Sequence, residues 1–107
     1  IKAACEAATG KRTHMDLFGT DYPTKDGTCV RDYIHVSDLA EAHVKALEYL
    51  EKGGESQPLN AGYGHGFTVK EVISRVKELT GVNFTVNNQP RRAGDPASLT
   101  AESSRLT

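Results

Sequence analysis

Residues 68–87 read TVKEVISRVKELTGVNFTVN, and this stretch contains the clearest signals for the fold. Thr68 and Glu71 have the spacing of a capping box, in which each side chain bonds to the backbone amide of the other residue. Apolar residues then recur every three or four positions, and Gly81 is placed to end the helix. The next run, VNFTVN over 82–87, predicts a strand. A capped amphipathic helix followed directly by a strand favours the α/β class.

The rest of the chain continues this alternation of helices and short strands. The patterns predict a helix over 1–9, strands over 14–18, 29–36 and 58–62, and a helix over 37–52. Alternation within CVRDYIHV, residues 29–36, places Arg31 and Tyr33 on the same face of the strand. Ser37 is the predicted N-cap of the middle helix. The prediction is an α/β fold with mixed short strands and three helices.

Length and charge exclude several classes of protein. The chain has 107 residues, with 13 basic and 14 acidic side chains and a formal net charge of −1. A nucleic-acid-binding domain is normally basic, so we expect no nucleic-acid partner. Since no apolar run reaches the ~20 residues that cross a bilayer, we expect no membrane partner either. The chain opens at Ile1 with residues that read as helix, and we expect a fragment of a longer protein.

The side chains that could bind a metal or form a disulfide are sparse. Cys5 and Cys29 form no C-x-x-C motif. One disulfide between them is an open alternative, but free thiols in a reducing cytoplasm are favoured, which predicts a cytoplasmic protein. The four histidines lack the spacing of metal ligands, so no metal site is predicted.

Two motifs of nicotinamide enzymes are absent from the sequence. No tyrosine is followed four residues later by lysine, and no G-x-G-x-x-G run occurs. The glycines at 62, 64 and 66 are spaced by two, and this loop is interpreted as a turn before a helix. A phosphate cradle is the less favoured alternative, although the loop leads to a helix N-terminus.

The arginines carry the more interesting chemistry. Arg31 shares a strand face with Tyr33, while Arg92 and Asp95 lie in a loop bounded by glycine and proline. A guanidinium group offers a planar fork that matches phosphate oxygens, and a carboxylate can accept a sugar hydroxyl. Together these groups suit a nucleoside diphosphate. The alternative is that Arg31 pairs with an acid across the sheet and that the loop arginines are merely solvated.

Three runs of this sequence resemble the C-terminal part of the UDP-glucose 4-epimerases, which are extended short-chain dehydrogenase/reductases. They are LFGTDYPTKDGTCVRDYIHVSDLA over 17–40, LNAGYGHGFTVKEV over 59–72 and PRRAGDP over 90–96. The resemblance covers essentially the whole chain, and the first run is highly specific. The shorter run RDYIHV is a less specific signal, because related nucleotide-sugar enzymes carry similar residues.

The resemblance implies an isomerase that interconverts UDP-glucose and UDP-galactose. In that family NAD takes a hydride from C4 of the hexose and returns it to the other face. A Rossmann domain that carries the catalytic tyrosine and lysine holds the NAD. This chain would be the UDP-sugar-binding part without that domain, so no catalytic or cofactor-binding residue is predicted in it, and the chain alone is expected to be inactive. We expect the Rossmann half of the same protein as its partner, and a homodimer for the whole protein.

The resemblance also implies roles for individual residues, all of them in substrate binding. Phe18 and Val69 would border the uridine, Arg31 and Arg92 would grip the diphosphate, Tyr33 would lie beside the phosphates, and Asp95 would accept a ribose hydroxyl. Arg91 is interpreted as structural. Leu99 occupies the position that helps to set the size of the sugar substituent. With leucine there, both plain and N-acetylated hexoses remain candidate substrates.

Two other interpretations remain. The chain could belong to another nucleotide-sugar epimerase or dehydratase, or it could be a non-catalytic nucleotide-sugar-binding module. In the family the 37–52 helix packs on the Rossmann half. Its apolar stripe, which comprises Leu39, Ala42, Ala46, Leu47 and Leu50, therefore predicts self-association or contact with that half.

Overall fold

The computed structural model describes residues 1–106 and confirms an α/β fold with three helices and short strands. The elements in chain order are α1 (Lys2–Ala8), β1 (His14–Phe18), β2 (Val30–Arg31), α2 (Val36–Glu51), β3 (Phe67–Thr68), α3 (Val69–Thr80), β4 (Thr85–Gln89) and β5 (Ser98–Leu99). The chain divides into two compact units. The first combines Ile1–Arg31 with Phe67–Leu99, and the second combines Asp32–Gly66 with the described residues from Thr100 onward.

The core of the first unit lies between two helices and a two-stranded parallel sheet. In this sheet β1 pairs with β4, from His14 opposite Thr85 to Phe18 opposite Gln89. Alternate residues of β1 turn inward because successive side chains of a strand point to opposite faces. The buried apolar cluster comprises Ala4, Ala7, Met15, Leu17, Ile73 and Phe84. It therefore joins α1 and α3 to β1 and to Phe84, the residue that precedes β4.

The helix predicted from the capping box is present as α3. The Thr68 side chain accepts a hydrogen bond from the Glu71 amide, and the Glu71 side chain accepts one from the Thr68 amide. Gly81 follows the last turn with a φ of 69°, a left-handed conformation that glycine adopts without steric cost. Sequence therefore determined both ends of α3.

A second sheet in the same unit has the strand order β3-β2-β5. The strand β2 is antiparallel to β3 and parallel to β5. Arg31 thus has Phe67 opposite it on one side and Leu99 on the other. The two outer strands were not predicted from the sequence.

The second unit contains α2, and none of the residues of this helix is buried. The helix begins at Val36, and its N-cap is His35, whose Nδ1 accepts a hydrogen bond from the Ser37 amide at 3.0 Å. The prediction of Ser37 as the N-cap was wrong. An imidazole nitrogen with a free lone pair can take the place of the usual hydroxyl or carboxylate oxygen.

Three predicted strands differ from the structure. The strand over 29–36 is reduced to Val30–Arg31, since each neighbouring strand supplies only two residues for pairing. Arg31 and Tyr33 therefore do not share a strand face as predicted. Residues 58–62 form no strand in the described chain. The last predicted strand shifts from 82–87 to Thr85–Gln89, which is the segment in register with β1.

No helix among residues 1–106 has both the length and the apolar character required to cross a membrane.

Candidate functional site

Arg31 occupies the centre of the three-stranded sheet. Residues directly opposite each other in a sheet project to the same face, so Phe67, Arg31 and Leu99 form one row across the strands. Phe67 and Leu99 are 43% and 57% exposed, respectively. The guanidinium of Arg31 donates to the carbonyl oxygen of Val30 at 2.8 Å. One hydrogen bond leaves most of its donors for other partners, because a guanidinium carries five N–H groups.

Two arginines share the carboxylate of Asp95. The Nε of Arg92 donates to Oδ2 of Asp95 at 3.0 Å. A terminal nitrogen of Arg31 lies 3.9 Å from Oδ1 of the same carboxylate. The side chains of Arg31 and Asp95 are each 24% exposed, whereas that of Arg92 is 62% exposed. The three groups carry a combined charge of +1, with both guanidinium groups accessible from solvent.

An aromatic ring adjoins this charged group. Phe18 is the last residue of β1, and the Arg92 guanidinium carbon lies 4.7 Å from the centroid of its ring. This distance is typical of a cation–π contact. Of the seven residues proposed from sequence, the structure thus brings together Phe18, Arg31, Arg92, Asp95 and Leu99.

The other two predicted residues are placed differently. Val69 is the first residue of α3, and its half-buried side chain packs against the apolar core cluster. Its amide donates to the carbonyl oxygen of Cys29 at 3.0 Å. Tyr33 belongs to the second unit, where it is half-buried. Neither position tests the predicted binding role.

Arg91 has a different environment from its neighbour Arg92. Its Nε donates to Oδ1 of Asp21 at 2.8 Å, and a terminal nitrogen donates to the backbone oxygen of Asp21 at 2.8 Å. Its guanidinium also lies 4.3 Å from the centroid of the Tyr22 ring. The hydrogen bond from Arg91 lowers the pKa of Asp21. These contacts support the structural role predicted for Arg91.

Asp26 is a half-buried structural residue that the sequence patterns did not identify. Its Oδ1 accepts hydrogen bonds from the amide and the hydroxyl of Thr28, at 3.0 and 2.6 Å. Its Oδ2 accepts a hydrogen bond from the Thr68 hydroxyl at 2.5 Å. Burial raises the pKa of Asp26, but these hydrogen bonds outweigh it and the net shift is downward. The signal in the sequence was Asp26-Gly-Thr28, because an aspartate often bonds to the backbone two residues later.

The network around Asp26 fixes the frame of the site. Thr28 and Thr68 are both fully buried, with 0% exposure. Thr68 is also the N-cap of α3 and the cross-strand partner of Val30. Asp26 therefore ties the loop before β2 to the strand pair on which Arg31 is carried.

The glycine-containing loop of the second unit is organised around Asp32. The amides of Tyr63 and Gly64 donate to its two carboxylate oxygens at 3.0 and 2.9 Å, and the Ala101 amide donates at 3.1 Å. These backbone hydrogen bonds lower the pKa of Asp32. A Cβ atom on Gly62 would lie 2.6 Å from an Asp32 oxygen. Since a carboxylate already takes these amides, the loop does not suit the phosphates of a dinucleotide.

Tyr63 connects this loop of the second unit to the start of α2. The Tyr63 hydroxyl donates to Asp38 and accepts a hydrogen bond from the His35 amide. The hydrogen bond to Asp38 raises the pKa of the Tyr63 hydroxyl. Both Asp38 and the His35 cap lie at the start of α2, so this tyrosine fastens the loop to the helix.

Metal and thiol chemistry find little support within residues 1–106. This part of the chain contains no cluster of three or more side chains that could hold a metal ion. Both cysteines are free, with Cys5 exposed and Cys29 buried. The arginine–aspartate cluster can bind an anion and a planar ring, and it contains no histidine or lysine placed for proton transfer.

A family model and a similar protein of known name point to the same family. A model of the NAD dependent epimerase/dehydratase family matches residues 2–62. A UDP-glucose 4-epimerase from Azospirillum brasilense is 51% identical over 106 residues, which is 99% of this chain and 30% of the relative. These matches confirm the resemblance to the UDP-glucose 4-epimerases.

Solved structures agree with this result. The UDP-Glc/GlcNAc 4-epimerase from Campylobacter jejuni has a TM-score of 0.85 and 55% identity, over 98% of this chain and 32% of that protein. A UDP-glucose 4-epimerase from Stenotrophomonas maltophila, with bound NAD and formylated UDP-arabinopyranose, has a TM-score of 0.89 and 45% identity, over 97% of this chain and 31% of that protein. The chain therefore spans about a third of the length of the proteins that it matches.

Proposed function

The chain belongs to the NAD dependent epimerase/dehydratase family, and from this premise we propose that it forms the UDP-sugar-binding part of a UDP-glucose 4-epimerase. The single observation that carries this proposal is the cluster of Arg31, Arg92 and Asp95 beside the ring of Phe18. Two guanidinium forks, a carboxylate and an aromatic edge match the diphosphate, ribose and base of a UDP-sugar.

The two arginines would bind the diphosphate. Each fork can donate two parallel hydrogen bonds to phosphate oxygens, and such charge-assisted bonds are about twice as strong as neutral ones. Arg31 is held on a strand and Arg92 on a loop, so the pair could grip the diphosphate from two directions. Tyr33 is proposed to lie beside the phosphates in the assembled protein.

The remaining predicted residues would contact the two ends of the ligand. Phe18 and Val69 are proposed to border the uridine, and Asp95 to accept a ribose hydroxyl. Leu99, in the row with Arg31, would face the hexose. A relative of 55% identity is a UDP-Glc/GlcNAc 4-epimerase, which supports a site that admits both plain and N-acetylated sugars.

NAD is proposed as the cofactor of the whole protein. The chemistry that it supplies when bound is reversible oxidation at C4 of the hexose. The glycine loop of this chain does not suit its phosphates, because the loop amides are taken by Asp32. The cofactor and the catalytic groups would therefore be held by a Rossmann half elsewhere in the protein, and this chain would hold and orient the UDP-sugar.

The exposed side of α2 is proposed to pack on that half. Val36, Val44, Leu47 and Leu50 are between 48% and 74% exposed. A set of large apolar side chains on one helix is typical of an interface. The chain alone would then be inactive, while the whole protein would be a cytoplasmic homodimer.

A second candidate is another epimerase or dehydratase that acts on a nucleotide sugar, since the matched family includes both kinds of enzyme. A non-catalytic nucleotide-sugar-binding module is the third. The rest of the reading frame separates them, because a dinucleotide motif with a Tyr-x-x-x-Lys pair upstream would exclude the non-catalytic module.

The binding role can be tested in the full-length protein that contains this chain. Arg31→Leu and Arg92→Leu should each raise the KM for UDP-galactose by about 10- to 100-fold, the cost of a lost charge-assisted hydrogen bond. We expect kcat to change much less, since neither residue reaches the reacting carbon. Steady-state kinetics in both directions would measure the two constants.

Arg75→Leu provides a matched control, because Arg75 is also exposed and paired with a carboxylate, Glu78, three residues later. It should leave KM unchanged. Wild-type KM values in both site variants would contradict the proposed binding role.

A further inference from the structure

The carboxylate of Asp95 occupies the position between two guanidinium groups that a bound anion would need. Its Oδ2 lies 3.0 Å from Nε of Arg92, and its Oδ1 lies 3.9 Å from a terminal nitrogen of Arg31. It is less exposed than Arg92, at 24% against 62%. Without a ligand, Asp95 is thus the counter-ion of both arginines.

We propose that Asp95 is a specificity-determining residue that selects nucleotides against small inorganic phosphates. The inference rests on the proposed UDP-sugar site. An anion that binds Arg92 through Nε must displace the carboxylate, and the displaced carboxylate loses this hydrogen bond. Pyrophosphate offers little compensation, because it carries several negative charges at neutral pH and repels the carboxylate. A nucleoside diphosphate brings ribose hydroxyls, which can donate to the freed oxygens.

Pyrophosphate and a nucleoside diphosphate share the diphosphate group and differ in what they offer the Asp95 carboxylate. A buried or half-buried charged group without a partner is unfavourable, whereas the same group hydrogen-bonded to a hydroxyl is not. Discrimination between the two ligands then has two sources: the carboxylate repels pyrophosphate, and it attracts the ribose hydroxyls of a nucleotide. Asp95 would weaken pyrophosphate binding and strengthen UDP binding at the same time.

The test uses Asp95→Asn in the full-length protein, with calorimetric titration of inorganic pyrophosphate and, separately, of UDP. The amide is isosteric with the carboxylate but carries no charge. We expect pyrophosphate to bind about two- to fivefold more tightly, on the order of the measured strength of partly exposed ion pairs. We expect UDP to bind more weakly. The dissociation constant of pyrophosphate divided by that of UDP should therefore fall by at least tenfold.

Glu78→Gln is the matched control. Glu78 pairs with Arg75 at the same sequence spacing as the Arg92–Asp95 pair, and it lies on α3. Its loss makes the same change in net charge and should alter neither dissociation constant. Equal shifts in Glu78→Gln and Asp95→Asn would show a general charge effect and overturn the inference.

The outcomes separate this inference from the proposed function. Failure of the wild-type protein to bind UDP would refute the proposed function, and the inference with it. Normal UDP binding by the wild type, together with unchanged or weaker pyrophosphate binding by Asp95→Asn, would refute only the selective role of Asp95.

Discussion

Asp26 shows how one side chain supports a site without contacting a ligand. Its carboxylate accepts hydrogen bonds from Thr28 and Thr68, two residues with no exposed surface. The residue that follows Thr68 opens α3, and the strand that pairs with Thr68 carries Arg31. The geometry of the proposed diphosphate site therefore depends on a carboxylate whose hydrogen bonds go to Thr28 and Thr68.

Replacing Asp26 with alanine should destabilise the protein by about 1–3 kcal/mol, because two buried hydroxyl groups lose their acceptor. Urea unfolding of the full-length protein at pH 7 would measure the loss. Asp21→Ala is the control, since Asp21 is an exposed partner of Arg91 with a side chain that is 77% exposed. An exposed ion pair contributes little, so this variant should unfold close to the wild type.

The same residue predicts a pH dependence. The pKa of Asp26 is lower in the folded protein than its ordinary value of 3.8. Its stabilising effect is therefore complete above the pKa of the unfolded chain and is lost as the pH falls through the lower, folded pKa. The difference in stability between wild type and Asp26→Ala should accordingly narrow below about pH 4. A difference that stays constant down to pH 2 would contradict the assignment of the hydrogen bonds to a charged carboxylate.

Elements whose signals are local were predicted well. The capping box of Thr68 and Glu71 and the glycine at 81 act within one helix, and α3 begins and ends where they place it. The strands β3 and β5 were not predicted, because they are two residues long and exist only through pairing with Val30 and Arg31. Such pairing depends on residues that are distant in sequence, which a local pattern does not reveal.

The candidate site likewise has residues that sequence could identify and others that it could not. The residue types of Arg31, Arg92 and Asp95 suggested a phosphate ligand, and the structure brings these three together. The contact between Arg92 and Phe18 joins residues on different elements, so only the resemblance to a family placed both at one site. Phe67 was missed altogether, because its place beside Arg31 follows from a strand that the sequence did not predict.

The helix α2 carries a prediction of its own. None of its residues is buried, and Leu47 and Leu50 are 57% and 48% exposed. We expect the isolated chain to self-associate through this side, since exposed apolar patches drive association. Leu47→Lys combined with Leu50→Lys should shift the chain towards monomer in sedimentation velocity over a range of concentrations.

Glu41→Lys is the control on the same helix, because it adds positive charge at an exposed polar position. It should leave the association constant of the chain close to the wild-type value. A wild-type chain that is folded and monodisperse at high concentration would refute the predicted association.

At the scale of the whole molecule, we propose that the chain supplies binding groups and that the rest of the protein supplies the reaction. The first unit contains the arginine–aspartate cluster, and the second contains α2 with its exposed apolar side. The chain spans about a third of its relatives, which leaves room for a cofactor domain of ordinary size. On the proposed division, a chain without a dinucleotide motif can belong to an NAD dependent family.

A crystal structure of the full-length protein with UDP would test the proposed site most directly. We expect diphosphate oxygens within hydrogen-bond distance of both Arg31 and Arg92, with the Asp95 carboxylate turned from Arg92 to a ribose hydroxyl. UDP bound elsewhere, with the Arg92–Asp95 pair still closed at the 3.0 Å seen here, would contradict it.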